Sequence, residues 1–112
     1  MATEKVEFHN RPPFLKVLEN SETVVTFAAR KPLETYYADE NLKRVPEGQG
    51  RRHDVFEVVN EHGEDALLDV TGRLSAALAS VPGGVTVGEP LGIKALGSGY
   101  KRRYEIRRFE AK

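Results

Sequence analysis

Apolar and polar positions along the chain follow two different periods, and the changes of period outline the elements. Residues 22–29 read ETVVTFAA, with Val25, Phe27 and Ala29 on one face and Val24, Thr26 and Ala28 on the other, which predicts a strand. Residues 51–60 alternate likewise: Val55, Glu57 and Val59 share one orientation, Phe56 and Val58 the other. Asn60-Glu61-His62-Gly63 is turn chemistry, and Glu64 to Val70 returns, so 51–70 reads as a hairpin. The period then becomes helical. Leu74, Ala77, Leu78 and Val81 recur at spacings of 3, 4 and 7 behind Thr71 as N-cap, until Pro82-Gly83-Gly84 stops the run. An extended connection follows, then strands over Leu91–Leu96 and Tyr100–Phe109 joined by Gly97-Ser98-Gly99.

Two stretches are less regular. Residues 1–13, with Pro12-Pro13, read as an arm, and Phe14, Leu15, Val17 and Leu18 form the patch that packs it onto a single domain spanning 14–112. Residues 30–50 are polar and end in the turn-forming run VPEGQG, which makes them either a functional loop or a disordered one. Four of these strands count as clear, and the fifth strand of the fold is sought in the 13–18 patch or in Leu33–Ala38. The order strand, loop, hairpin, short helix, hairpin is that of a mostly β protein: a five-stranded OB-like antiparallel barrel with one helix between strands 3 and 4.

A chain of 112 residues supports one modest core. It has no cysteine, so disulfides and thiolate metal sites are excluded. No apolar stretch approaches the ~20 residues of a membrane span, and the N-terminus lacks the apolar segment of a secretory signal, so a cytoplasmic protein is expected. The 17 basic and 17 acidic residues cancel overall but not locally. Residues 1–93 hold 10 Lys/Arg against 15 Asp/Glu, whereas residues 94–112 hold 7 against 2. The terminal strand is therefore basic within a neutral chain, either pairing with the acidic remainder or facing a polyanion.

Catalytic chemistry has little footing. His9, His53 and His62 fall in the arm, at a strand start and in a turn, without the i, i+4 spacing of an HExxH helix; His53 and His62 read as surface residues. There is no P-loop, and Gly97-Ser98-Gly99 joins two strands instead of opening a helix. No enzyme activity, metal or cofactor is expected.

The basic clusters carry more. In the run YKRRYEIRRF each strand face mixes cations with aromatic rings, the combination that tracks phosphates and stacks on bases in single-stranded nucleic acid. Tyr104 and Ile106 read as core, which leaves Tyr100, Lys101, Arg102, Arg103 and Arg107, with Lys94 on the preceding strand. Arg30, Lys31, Tyr36 and Tyr37 follow the first strand, and Lys43, Arg44, Arg51 and Arg52 flank the glycine loop. In a barrel of this order the loop after strand one borders the ligand groove.

In its opening PFLKVLENSETVVTF, central DVFEVVNEHGEDALLDV, helix LSAALASV and ending GIKALGSGYKRRYEI, the chain resembles a loose group of small single-stranded-DNA-binding proteins of phages and archaeal viruses. The ending carries the likeness through Gly97, Gly99, Arg103, Tyr104 and Ile106. The resemblance implies an OB-fold that coats single-stranded DNA, or RNA, in replication or recombination, as a homodimer or with a replication-protein partner. The acidic tail often found in that group is missing, since the chain given ends RRFEAK. The alternative expectation is a small viral or bacterial interaction domain whose basic edge strand binds a protein or a second copy of itself.

Overall fold

Alternation of β-branched and polar residues produces strands where expected, in a computed structural model that describes residues 11–98 and 101–109. The elements are β1 (Glu22–Phe27), β2 (Glu34–Ala38), β3 (Arg44–Val45), β4 (Arg51–Asn60), β5 (Asp65–Thr71), α1 (Gly72–Ala79), β6 (Pro90–Leu96) and β7 (Arg103–Arg108). All strand pairs are antiparallel, in the order β3-β2-β4-β1-β6-β7, with β5 joined to β4. β4 is the hub: β2 pairs along its first half, β1 along its last residues, and β5 along its other edge.

The sheet curls one face around a core of Val25, Phe27, Val58, Ala66, Leu68, Val70, Leu91 and Ile93, which Leu74 and Leu78 of α1 cover. Tyr104 and Ile106 pack against this core from β7 while Arg103, Glu105 and Arg107 alternate outward, as the sequence predicts. Phe27 and Phe56 meet edge to face at 5.3 Å. Thr71 is the N-cap of α1, but its side chain makes no capping hydrogen bond. Among the described residues no helix is long and apolar enough to cross a membrane.

Two expectations are corrected. Leu33–Ala38, one of the two candidates for a further strand, forms as β2, but it pairs with β3 in a hairpin, so residues 30–52 are not a loop and the strand count is seven. The sheet is also open, and a closed five-stranded barrel is not formed. Closure would need backbone pairing between the two free ends, β5 and β7. Instead, Leu67 of β5 exchanges hydrogen bonds with Pro13 and Leu15 (3.0 and 2.8 Å), while α1 packs against both β5 and β7. An edge already paired, with a helix beside it, has no register left for β7.

Candidate functional site

The cations of β7 are the first test of the charge argument, because a basic strand matters only if its charge is not already neutralised. Arg107 is neutralised: its Nε and Nη2 donate to the two carboxylate oxygens of Glu22 at 2.9 and 2.6 Å, and it lies over the Phe109 ring. The Glu22 side chain reaches it from β1 by crossing β6 over Gly92, where an added Cβ would come within 2.6 Å of Glu22 Cδ. This hydrogen-bonded guanidinium holds the Glu22 carboxyl below its ordinary value of 4.5. Arg108 is engaged with Glu89 (2.9 Å) and the Gly84 carbonyl. Lys94 sits between Glu22 and Glu105 in the strand register. The outer face of β1, β6 and β7 is therefore a charge-balanced lattice.

A second set is used up on one face of β2 and β4. Tyr36 stacks on His53 (4.7 Å between centroids, 10° between planes), and the Arg44 guanidinium lies 4.4 Å from the Tyr36 centroid. β3 and β4 flank β2 on opposite edges, so the ring is held between them. His53 Nδ1 carries a proton and donates it to Asp69 at 2.9–3.0 Å, since a carboxylate only accepts; the Tyr36 hydroxyl approaches the same carboxylate at 3.5 Å. Burial, then the Asp69 charge, push the Tyr36 phenol above its ordinary 10.0. Arg44 also binds Glu34 at 2.7 Å and Arg11 binds it at 3.3 Å, which together hold the Glu34 carboxyl below 4.5. His53, expected at the surface, is only 6% exposed. Its burial follows from the register, Tyr36 opposite His53 and Asp69 two places from Thr71, its partner on β5. The two faces of the Tyr36 ring are thus taken by His53 and Arg44.

Most of the remaining cations have no carboxylate to meet them among the described residues. Arg51 opens β4 opposite Ala38, His53 lies opposite Thr71, and α1 starts at Gly72. Arg73 in its first turn donates to the Arg102 carbonyl at 2.7 Å, which ties the start of β7 to α1. Arg51, Arg73, Lys101, Arg102 and Arg103 have no carboxylate partner among the described residues, and of the five Arg73 and Arg102 are in direct contact. Arg102 is half-buried, with its Nε enclosed and without an acceptor among the described residues. At the far end of the β4–β5 hairpin the exposed carboxylates Glu61, Glu64 and Asp65 surround a turn held by Asn60.

In β4 itself, Arg52, Asp54 and Phe56 alternate along one face, with Tyr37 opposite Arg52 and Thr35 opposite Asp54. Arg52 binds Asp54 at 3.2 Å. This track leads into an apolar cleft that Arg30 also lines. Lys31 and Lys43 are exposed away from any ion pair among the described residues, and Tyr100 lies outside the described residues. No protein family, characterised protein or solved structure matches this chain. Among the described residues no three His, Asp or Glu side chains are grouped to hold a metal ion.

Sequence reasoning missed Arg73 and Asp54. A lone arginine in a helix start and an aspartate inside a strand have no signal until α1 is folded against β7 and β4 is paired with β2.

Proposed function

We propose that the protein binds single-stranded nucleic acid, DNA in the first place, and coats exposed strands during replication or recombination. The observation that carries this is a set of five cations, Arg51, Arg73, Lys101, Arg102 and Arg103, without carboxylate partners among the described residues, with Arg73 of α1 bound to the Arg102 carbonyl at the start of β7. Phosphates of any sequence satisfy such a set, so it supplies affinity with little base preference. Tyr37, half-buried beside Arg52, is the ring nearest to Arg51 by register. α1 turns Leu74 and Leu78 into the core, which argues against its use as a major-groove recognition helix. The pairing of β1 with β4 and β6, of β4 with β5, and of β6 with β7 around one helix supports an OB-like barrel left open, with the β2–β3 hairpin inserted after its first strand.

Fluorescence anisotropy with labelled oligo-dT tests the reading. Binding should be tighter to single strands than to duplex and should weaken steeply with added salt. No binding to oligo-dT at low salt refutes it.

A second reading rests on one observation: β7 stands last in the sheet with only β6 beside it. An edge of this kind accepts a strand from a protein partner or a second copy. A concentration-dependent rise in mass by sedimentation, without oligonucleotide binding, would favour it.

A further inference from the structure

The cleft at the end of the β4 track has a volume of about 310 Å³, at the small end of ligand pockets. Phe27 and Phe56 form an aromatic wall, and Leu78 and Val85 close the side toward α1. Two polar groups of opposite sign face it. Asp54 Oδ1 accepts from Thr35 Oγ1 at 2.6 Å and from Arg52 Nε, while its Oδ2 has no partner among the described residues. Arg30 is exposed and, among the described residues, unpaired. An occupant that uses the whole cleft needs a flat apolar ring, a hydrogen-bond donor for Asp54 and a negative charge for Arg30.

We propose that this cleft receives one base of the bound strand and favours a base with an exocyclic amine, so that cytosine is preferred to thymine. The ring packs against Phe56, the exocyclic amine donates to Asp54 Oδ2, and the adjoining phosphate meets Arg30. Thymine presents a carbonyl oxygen where cytosine carries its amine, and so turns an acceptor toward a carboxylate. Continuity along β4 favours a strand over a free small molecule: Arg52, Asp54 and Phe56 share one face with Tyr37 opposite Arg52, so a chain that passes Tyr37 and Arg52 is led to the cleft and to Arg30. An apolar side chain from a protein partner would fill the volume but leave Asp54 Oδ2 without a donor. The inference rests on the single-strand reading and adds a base preference to it.

Competition anisotropy with oligo-dC and oligo-dT tests it. The wild-type protein should prefer oligo-dC by about tenfold, the value of one hydrogen bond to a charged acceptor. Asp54→Asn keeps an oxygen for Thr35 and Arg52 but offers an amide donor, and should erase or reverse the preference. Ser75→Phe, from an exposed position of α1 on the cleft wall, should erase it too while leaving the salt dependence of binding intact. Equal affinity for the two oligonucleotides in the wild-type protein, or a preference that survives both variants, overturns the cleft proposal and leaves the single-strand reading standing. Absence of binding to either oligonucleotide overturns the single-strand reading and this inference with it.

Discussion

Removing Lys101 and Arg103 together separates available cations from cations that the fold has already neutralised. Both side chains are exposed and outside the ion pairs of the described residues, so Lys101→Ala/Arg103→Ala should shift stability by only about 0.5 kcal/mol or less. Each phosphate neutralised on a single strand contributes about 0.7 to the slope of log affinity against log salt. Five available cations therefore predict a slope near −3.5, and a loss of about 100-fold between ~50 and ~200 mM salt. The double variant should fall to a slope near −2 and lose only about 20-fold over the same range. The control is Glu22→Gln/Arg107→Gln, which removes a bonded pair from the same hairpin and leaves net charge unchanged. Salt titrations by fluorescence anisotropy measure all three slopes. A control that flattens the slope as much as the Lys101/Arg103 variant, or a Lys101/Arg103 variant indistinguishable from wild type, would refute the charge accounting.

Three further outcomes concern the scaffold. Gly50→Ala should destabilise by about 2 kcal/mol or more, read from urea midpoints, because Gly50 has φ +83° and an added Cβ would meet the Ala38 carbonyl oxygen at 2.4 Å, where β2 enters its pairing with β4. His53→Phe keeps the stack on Tyr36 but leaves Asp69 without its donor, at a cost of about 1–3 kcal/mol, whereas Asp69→Asn, which retains an acceptor, should cost less; equal losses in urea melts would count against the hydrogen bond. For Glu22 the folded pKa is depressed, so the stability that its pair with Arg107 contributes is present above the ordinary value of 4.5 and is lost as pH falls through the lower folded value. NMR titration of the Glu22 carboxyl should show its midpoint rising toward 4.5 in Arg107→Gln, and an unmoved midpoint would show that the bidentate contact does not persist in solution.

Local pattern alone was enough for the elements whose apolar period is unbroken. β1, β4, β5, α1 and β6 lie within a few residues of the spans that alternation and helical spacing mark out, because a strand or helix with one buried face must repeat apolar residues at its own period. Of the β2–β3 hairpin only the strand at Leu33–Ala38 is offered by the pattern, as one of two candidates; β3 and its pairing with β2 are not legible. Glu34, Tyr36 and Arg44 are polar or amphipathic, and they hold their strands by pairing with one another and with Arg11 and His53 across the register, not by burying an apolar face. The openness of the sheet was equally hidden, since it depends on Pro13–Leu15 reaching β5 over a separation of more than 50 residues.

The sequence by itself determined that the positive charge is local, concentrated after residue 93, and that Tyr104 and Ile106 turn inward while their neighbours turn out. Only the tertiary structure decided which of those charges remain available. Arg107 is met by Glu22, 85 residues away across a three-strand span, and Arg108 by Glu89, whereas Arg73 is brought to the start of β7 by helix packing and Arg51 meets no carboxylate among the described residues. Charge is a property of residues, but neutralisation depends on distances of a few ångströms between groups far apart in the chain, and those distances exist only once the sheet has formed.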